Sequence, residues 1–213
     1  MIKGIAFDLD GTLIDDTELL KEAECAAFAE RGLIITPSEL VKFNGMSIKD
    51  ITKAFFGKTD KDTIKALRQR RKELVQERIE RLKVFPETNI TLRKLRKLGL
   101  KTGIATGLGG ELLQIFLKKT HLSELMDTIV SADEVAAGKP APDVFIKAFK
   151  LMGVSKENGL VVGDGESDIT AARTAGIENV LIVRSGVPIC SADHVICRLD
   201  ELTKLVTSKN AAQ

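Results

Sequence analysis

Two aspartates one residue apart, Asp8 and Asp10, close the short apolar run Gly4-Ile5-Ala6-Phe7 and are followed by Gly11-Thr12. Side chains alternate along a strand, so residues two apart share a face, and both carboxylates would emerge together where a strand over 2–7 runs out. Held that close they repel, which raises the proton affinity of one of them. A single residue type then supplies both an ionised group and a proton carrier. Gly11 lets the chain turn sharply, and Thr12 offers an amide and a hydroxyl for capping or for contact with an anion. Taken alone, Asp-x-Asp suits two strand-ending acids in a turn equally well.

A second set of acids shifts the balance toward chemistry. The apolar run 159–162 leads into Gly163-Asp164-Gly165-Glu166-Ser167-Asp168, again acids at the carboxyl end of an expected strand. Asp8, Asp10 and Asp164 are hard oxygen ligands of the kind Mg²⁺ takes. Asp168, at the start of the next helix, is better placed to orient its neighbours or to cap that helix. The run 101–105 ends at Thr106-Gly107, a hydroxyl and an unobstructed amide for an oxyanion. Gly138-Lys139-Pro140 puts an ammonium in a loop before a helix, where its charge can neutralise phosphate.

Such residues need a scaffold that gathers strand ends. Runs at 2–7, 101–105, 128–130, 159–162, 180–183 and, weakly, 194–196 are short and rich in Ile and Val or bounded by turn residues. Helical patterns lie between them at 88–98, 111–119, 144–152 and 169–175, with Gly99, Gly153 and Gly176 placed as stops. Strand alternating with helix predicts an α/β fold, a Rossmann-like parallel sheet core with helices on both faces and ligands at the strands' carboxyl ends.

Residues 16–81 break the alternation, with helical patterns and no convincing strand. Thr36-Pro37-Ser38-Glu39 is a capping box with Pro at the first helical position, and Ser47-Ile48-Lys49-Asp50 gives the same kind of start. Ile64, Leu67, Leu74, Val75, Ile79 and Leu82 keep one helical face apolar. Between them Arg68, Arg70, Arg71, Lys72, Arg78 and Arg81 read as a solvated basic face threaded with Glu73, Glu77 and Glu80, or secondarily as a field drawing anionic substrates toward a cleft. The expected organisation is an α/β core (1–15 and 82–213), an inserted all-α cap (16–81) and a frayed tail at 208–213.

The 213 residues hold 32 Lys plus Arg against 30 Asp plus Glu, a net charge of +2, with no Trp or Tyr. That balance lacks the basic excess of a nucleic-acid binder, and the stacking platforms of single-strand binders are mostly missing. Cys25, Cys190 and Cys197 form no Cys-x-x-Cys pair and read as free thiols of a reducing compartment, with Cys25 in a core-facing pattern. His121 and His194 are isolated and read as structural. No apolar run approaches the ~18 residues of a membrane span. Acids appear within the first ten residues, at Asp8 and Asp10, so no signal peptide is expected and the cytoplasm is the expected location.

Asp8-Leu9-Asp10-Gly11-Thr12, then Thr106, Lys139-Pro140, and Gly163-Asp164 with Asp168, closely resemble in kind and order the motifs of the haloacid dehalogenase superfamily in its phosphatase branch. The helical insertion resembles that family's cap. The resemblance implies that Asp8 attacks phosphorus to form an aspartyl-phosphate, and that Asp10 protonates the leaving oxygen and then activates water. It implies Mg²⁺ held by Asp8, the Asp10 carbonyl and Asp164. Thr106, the Gly107 amide and Lys139 would bind the transferring phosphoryl oxygens, with Asp168 behind them. The expected activity is Mg²⁺-dependent hydrolysis of a small phosphomonoester resembling phosphoglycolate or a sugar phosphate. The partner is then a small phosphorylated metabolite, not a nucleic acid or a membrane.

Departures narrow the branch. Members that remove halide usually lack the second Asp, and members that cleave carbon–phosphorus bonds replace it with a small residue; Asp10 argues against both. Mutases of the family usually carry an Arg shortly after Gly-x-Ser, where Gly45-Met46-Ser47 is followed here by Ile48-Lys49, and no arginine is assigned to a second phosphate. A phosphosugar mutase or an idle phospho-binding relative stays as the alternative. Asp15, Asp16, Glu18, the 45–47 loop and Lys49 are plausible cap-side lining. A phospho-acceptor signalling domain would put its acceptor on a middle strand of a much shorter chain. A dinucleotide site at Gly107-Leu108-Gly109-Gly110 fails because Leu112 stands where the third glycine belongs.

Overall fold

In the computed structural model, which describes residues 1–43, 46–57 and 60–211, β1 (Gly4–Phe7) is wholly buried near the middle of a six-stranded sheet. β2 (Ile14–Asp15) and β3 (Lys83–Val84) form a separate antiparallel pair. β4 (Lys101–Ala105), β5 (Thr128–Val130), β6 (Gly159–Gly163), β7 (Glu178–Ile182) and β8 (His194–Ile196) complete the sheet in the order β5-β4-β1-β6-β7-β8, all pairs parallel. From β1 the chain builds outward through β4 and β5, then crosses back to β6 on the other side of β1. That reversal opens a crevice at the carboxyl ends of the central strands. Phe7 is in register with Ile104 on one side and Val162 on the other, so the three central strands end level.

The alternation of side chains sorts the core into two layers. Ile5, Phe7, Ile104, Leu160 and Val162 pack on one face under α5 (Thr88–Lys97), α6 (Gly110–Thr120) and α9 (Glu201–Ala211). Ala6, Ala105, Val130 and Val161 face the other way, against α7 (Asp143–Met152) and α8 (Glu166–Ala175). The expected Rossmann-like core with helices on both faces is what forms. The expected strand 180–183 begins two residues earlier, and 2–7 begins at Gly4.

Between β2 and β3 the described residues form the helical cap, with α1 (Thr17–Ala29), α2 (Pro37–Leu40), α3 (Ile48–Phe56) and α4 (Lys61–Glu77). Thr36 and Ser47 cap α2 and α3 as their sequences require, Thr36 in a full capping box. The β2–β3 pair, Ile14 opposite Val84, clamps the two chain crossings between core and cap. Gly45 and residues 212–213 lie outside the described residues.

Two expectations are corrected. Residues 208–211 are not frayed: they belong to α9, which buries Leu202 and Val206, and Asn210 exchanges hydrogen bonds with the backbone of Ile2 (2.7 and 3.0 Å). Arg71 is not on the solvated face. It follows Leu67 by one turn and precedes Val75 by another, so it sits in the buried stripe, where it pairs with Glu24 of α1 at 2.6 Å. The other cations of α4 remain outside, several in ion pairs: Arg70 with Glu30, Arg68 with Asp133 and Lys72 with Glu111.

Candidate active site

The carboxyl ends of β1, β4 and β6 and the loop after β5 bring Asp8, Asp10, Thr106, Lys139, Asp164 and Asp168 together. Asp8 and Lys139 are fully buried, and the Lys139 ammonium lies 2.6 Å from Asp8 Oδ1 and 2.7 Å from Asp168 Oδ1. It also stands 4.9 Å from the centroid of the Phe145 ring, on the helix that follows its loop. Asp168 keeps its orienting role and its capping role together, because Oδ2 accepts from the Gly165 amide at 3.1 Å while Oδ1 faces Lys139. Thr106 Oγ1 donates to Asp10 Oδ2 at 3.3 Å and accepts from the Leu108 amide at 3.1 Å.

The electrostatics are crowded. Burial, reinforced by Asp168, Asp10 and Asp164, holds the Asp8 carboxyl well above the usual range, and Lys139 pulls it only partly back. Burial also raises Asp10, against the neighbouring Asp16 carboxyl, the charges of Lys139 and Arg71 and the hydrogen bond from Thr106. Asp164 is pushed up to about 7 by burial, then by Asp168 and Asp10. Burial would lower Lys139, but the Asp168 and Asp8 charges outweigh it and hold the ammonium above its ordinary value.

A divalent cation fits this donor set. Carboxylate oxygens of Asp8, Asp164 and Asp168 lie within 4.8 Å of one another. Asp8 Oδ2, Asp10 Oδ1 and Asp164 Oδ1 are buried without a hydrogen-bond partner. Buried anionic oxygens left in that state are costly unless a cation compensates them, and hard oxygen donors suit Mg²⁺. With both Asp168 oxygens engaged by Lys139 and Gly165, Asp164 has the freer donors, and Asp8 would share its Lys139-bound Oδ1 with the ion and keep Oδ2 free.

The loop carrying Asp8 and Asp10 is held from far away in sequence. Arg184, just beyond β7, donates to the carbonyls of Thr12 (2.5 Å) and Gly11 (3.4 Å), pairs with Glu87 and stacks 3.6 Å from the Phe85 ring centroid. Gly11 has φ of +71°, and a Cβ there would run into the Asp164 carboxylate. Gly11→Ala is therefore expected to cost about 2 kcal/mol or more, roughly 4–8 °C in melting temperature, from backbone strain and that clash. It should also cut turnover by displacing Asp164. Calorimetry and an activity assay check both, and an unshifted melt would show that the loop relaxes freely.

Sequence reading named Asp16 only as lining, and Asp15 and Glu18 with it. Asp16 is buried beside Asp10, with its carboxyl raised by burial and then by Asp10, whereas Asp15 and Glu18 are exposed. Arg71 and Glu24 were not singled out as site candidates in the sequence. Both line a cavity with Asp10 and Asp164, and Arg71 is a guanidinium that the sequence did not assign. The helical phase of Leu67, Arg71 and Val75, and of Leu20, Glu24 and Phe28, was the available signal. Cys25 is partly buried against the core, Cys190 is half-buried and Cys197 exposed, all free thiols. His194 contacts Glu178 at 2.6 Å, and His121 ends α6 in a left-handed conformation. No helix among the described residues is long and apolar enough to cross a membrane.

Comparison with known proteins agrees with this geometry. The chain is 30% identical over 205 residues to phosphoglycolate phosphatase of Aquifex aeolicus, covering 95% of each chain. It is 30% identical over 185 residues to pyrophosphatase PpaX of Oceanobacillus iheyensis, covering 86% of this chain and 85% of that one. A hydrolase from Pseudomonas syringae superposes with a TM-score of 0.86 at 26% identity, over 97% of this chain and 98% of that chain. The family model for haloacid dehalogenase-like hydrolases matches residues 5–182, and the chain belongs to that family.

Proposed function

We propose that the protein is a divalent-metal-dependent phosphatase that hydrolyses a small phosphate ester or anhydride through a phosphoryl group carried on Asp8. The observation that carries this reading is the asymmetry of Asp8: Oδ1 is tied to Lys139, while Oδ2 is buried, unpartnered and left as the attacking atom. Lys139 fixes the carboxylate and offers positive charge to the transferring oxygens, and Asp168 holds Lys139 in place. Asp10, with its proton affinity raised, gives a proton to the leaving oxygen and takes one back from water in the second half-reaction. Thr106, beside Asp10, and the Gly107 amide bind phosphoryl oxygens. Mg²⁺ held by Asp8, the Asp10 carbonyl and Asp164 would neutralise the crowded acids and polarise the phosphoryl group. The core comprises residues 1–15 and 82–213, and the cap, residues 16–81, excludes water from the site.

The relatives' names, pyrophosphatase and phosphoglycolate phosphatase, support phosphoryl transfer and differ in the group that leaves. The test is phosphate release from a panel of small phosphate compounds with Mg²⁺ and with chelator. Release that needs the metal is expected; undiminished release with chelator, or none from any compound, overturns the reading.

Metal binding should also show in stability. In the metal-free fold Asp164 titrates at about 7, above its ordinary 3.8, so its contribution to stability is lost as pH rises from about 4 to 7. A cation bound to the ionised carboxylate restores it. The gain in melting temperature on adding Mg²⁺ should thus be larger at about pH 8 than at about pH 5.5. Equal gains at both would remove Asp164 from the ligand set.

A further inference from the structure

Arg184 joins the two places where the chain crosses between core and cap. The chain leaves the core through Gly11-Thr12-Leu13 into β2 and returns through β3 into Phe85, Pro86 and Glu87, ahead of α5. On the outgoing side Arg184 Nη2 donates to the Thr12 carbonyl at 2.5 Å and Nε to the Gly11 carbonyl at 3.4 Å. On the returning side Nη1 pairs with Glu87, and Cζ lies 3.6 Å from the Phe85 ring centroid. Glu87 is 8% exposed at its side chain and accepts in turn from the Leu199 amide at 3.3 Å. All three guanidinium nitrogens and one of its faces are engaged, which a rigid planar fork can achieve and an ammonium cannot.

None of these partners is assigned to the reaction, but what they fix adjoins it. Gly11 follows Asp10 directly, and with φ of +71° its Cα lies so close to Asp164 that a Cβ there would meet the carboxylate. A shift of Gly11 therefore moves Asp10 through the chain and Asp164 through that contact. The next carbonyl, of Leu13, is held by the Phe85 amide (3.2 Å) and the Thr88 hydroxyl (3.0 Å). The carbonyls of Gly11 and Thr12 are left to Arg184.

We propose that Arg184 is a positioning residue for the reaction, setting the places of Asp10 and Asp164 by clamping the Gly11 and Thr12 carbonyls to the segment that returns from the cap. This rests on the phosphatase reading above, which gives Asp10 and Asp164 their roles. The clamp does not hold the end of β4 or the loop after β5, which carry Thr106, Gly107 and Lys139 to the phosphoryl oxygens. Its loss should therefore damage turnover and metal affinity and spare substrate binding.

Arg184→Ala protein is expected to lose about 10- to 100-fold in kcat with KM nearly unchanged. By titration calorimetry it should bind Mg²⁺ about 10-fold less tightly. Arg184→Lys keeps a charge opposite Glu87 but cannot span two carbonyls, so it should show the same two defects in smaller measure. Methylguanidinium, which fits the space vacated in Arg184→Ala, should restore kcat saturably, where sodium chloride of equal ionic strength does not. The control is Asn210→Ala, which unties α9 from Ile2 and should lower the melting temperature while kcat and Mg²⁺ affinity stay at wild-type values. Wild-type kcat and Mg²⁺ affinity in the Arg184 variants, or the same kinetic defect in Asn210→Ala, would overturn the proposal and leave the phosphatase reading standing. Should Arg184→Ala fail to fold, Arg184→Lys decides by the same two quantities. If the wild type turns over no compound, the phosphatase reading falls and Mg²⁺ binding decides alone. Weaker binding in the Arg184 variants then supports the hold on Asp164, and equal binding ends it.

Discussion

Replacing Asp8 with Asn is expected to reduce phosphate release on the order of 10⁴-fold or more, while Asp10→Asn should leave a chain that becomes phosphorylated and stays so. An amide is isosteric with the carboxylate but carries no charge to attack phosphorus, so the nucleophile is lost while the shape of the pocket is kept. Asp10 does different work. Its loss should slow departure of the leaving group by roughly 10²- to 10⁴-fold when that group is a poor one. For a good leaving group such as nitrophenolate the first step needs little proton assistance. The second step still needs Asp10 to activate water, so one phosphoryl group per chain should accumulate on Asp8. Mass spectrometry of acid-quenched protein reads this directly. Accumulation on any residue other than Asp8, or full turnover in Asp8→Asn protein free of deamidation, would remove the nucleophile from the scheme.

The site was legible because its members sit at strand ends. Asp8, Thr106 and Asp164 each follow a short apolar run, and parallel strands in register must deliver such residues to one crevice. Lys139 on its loop and Asp168 in the first turn of α8 came with them because both open onto the same edge. Arg71 was not legible for the opposite reason. It stands among other cations of α4, and charge composition made the whole set look like a solvated face. The three-dimensional answer lay in phase: one turn on either side of Arg71 the helix is apolar, and only α1 packing against it brings Glu24 into reach. The two-residue strands Ile14–Asp15 and Lys83–Val84 are too short to carry a periodic signal. The anchor of α9 on the segment before β1 joins Asn210 to Ile2, a pairing that spans nearly the whole chain and leaves no local trace. Arg184 belongs to the same class, a single side chain whose partners Gly11, Thr12 and Glu87 are all distant in sequence.

Lys139→Met is expected to be the most destabilising single change at the site, and its pH dependence separates two ways in which it could act. The ammonium has no exposed surface and stands between two buried carboxylates, Asp8 and Asp168. Breaking a buried pair by removing one partner typically costs about 3–5 kcal/mol, because the remaining charge is left uncompensated. In the wild type the Lys139 pKa is raised, so its stabilising contribution is complete below the unfolded value and is lost only at pH above its folded one. Across neutral pH that contribution is constant, and any pH dependence in the variant must come from the acids left behind. Burial already holds Asp8 well above its ordinary pKa, and losing Lys139 removes the charge that pulled it down. Without metal, the variant should therefore approach wild-type stability as pH falls and Asp8 takes a proton, and fall furthest behind above neutrality. Activity should drop about 10²- to 10³-fold through loss of charge at the phosphoryl oxygens. The acid limb of its kcat/KM profile should move to higher pH, because the nucleophile is ionised later. Thermal melts in chelator at two pH values and a pH–rate profile test this together. A stability loss independent of pH, with an unmoved acid limb, would mean that Lys139 acts by packing under Phe145 and not by holding Asp8 in its charged form.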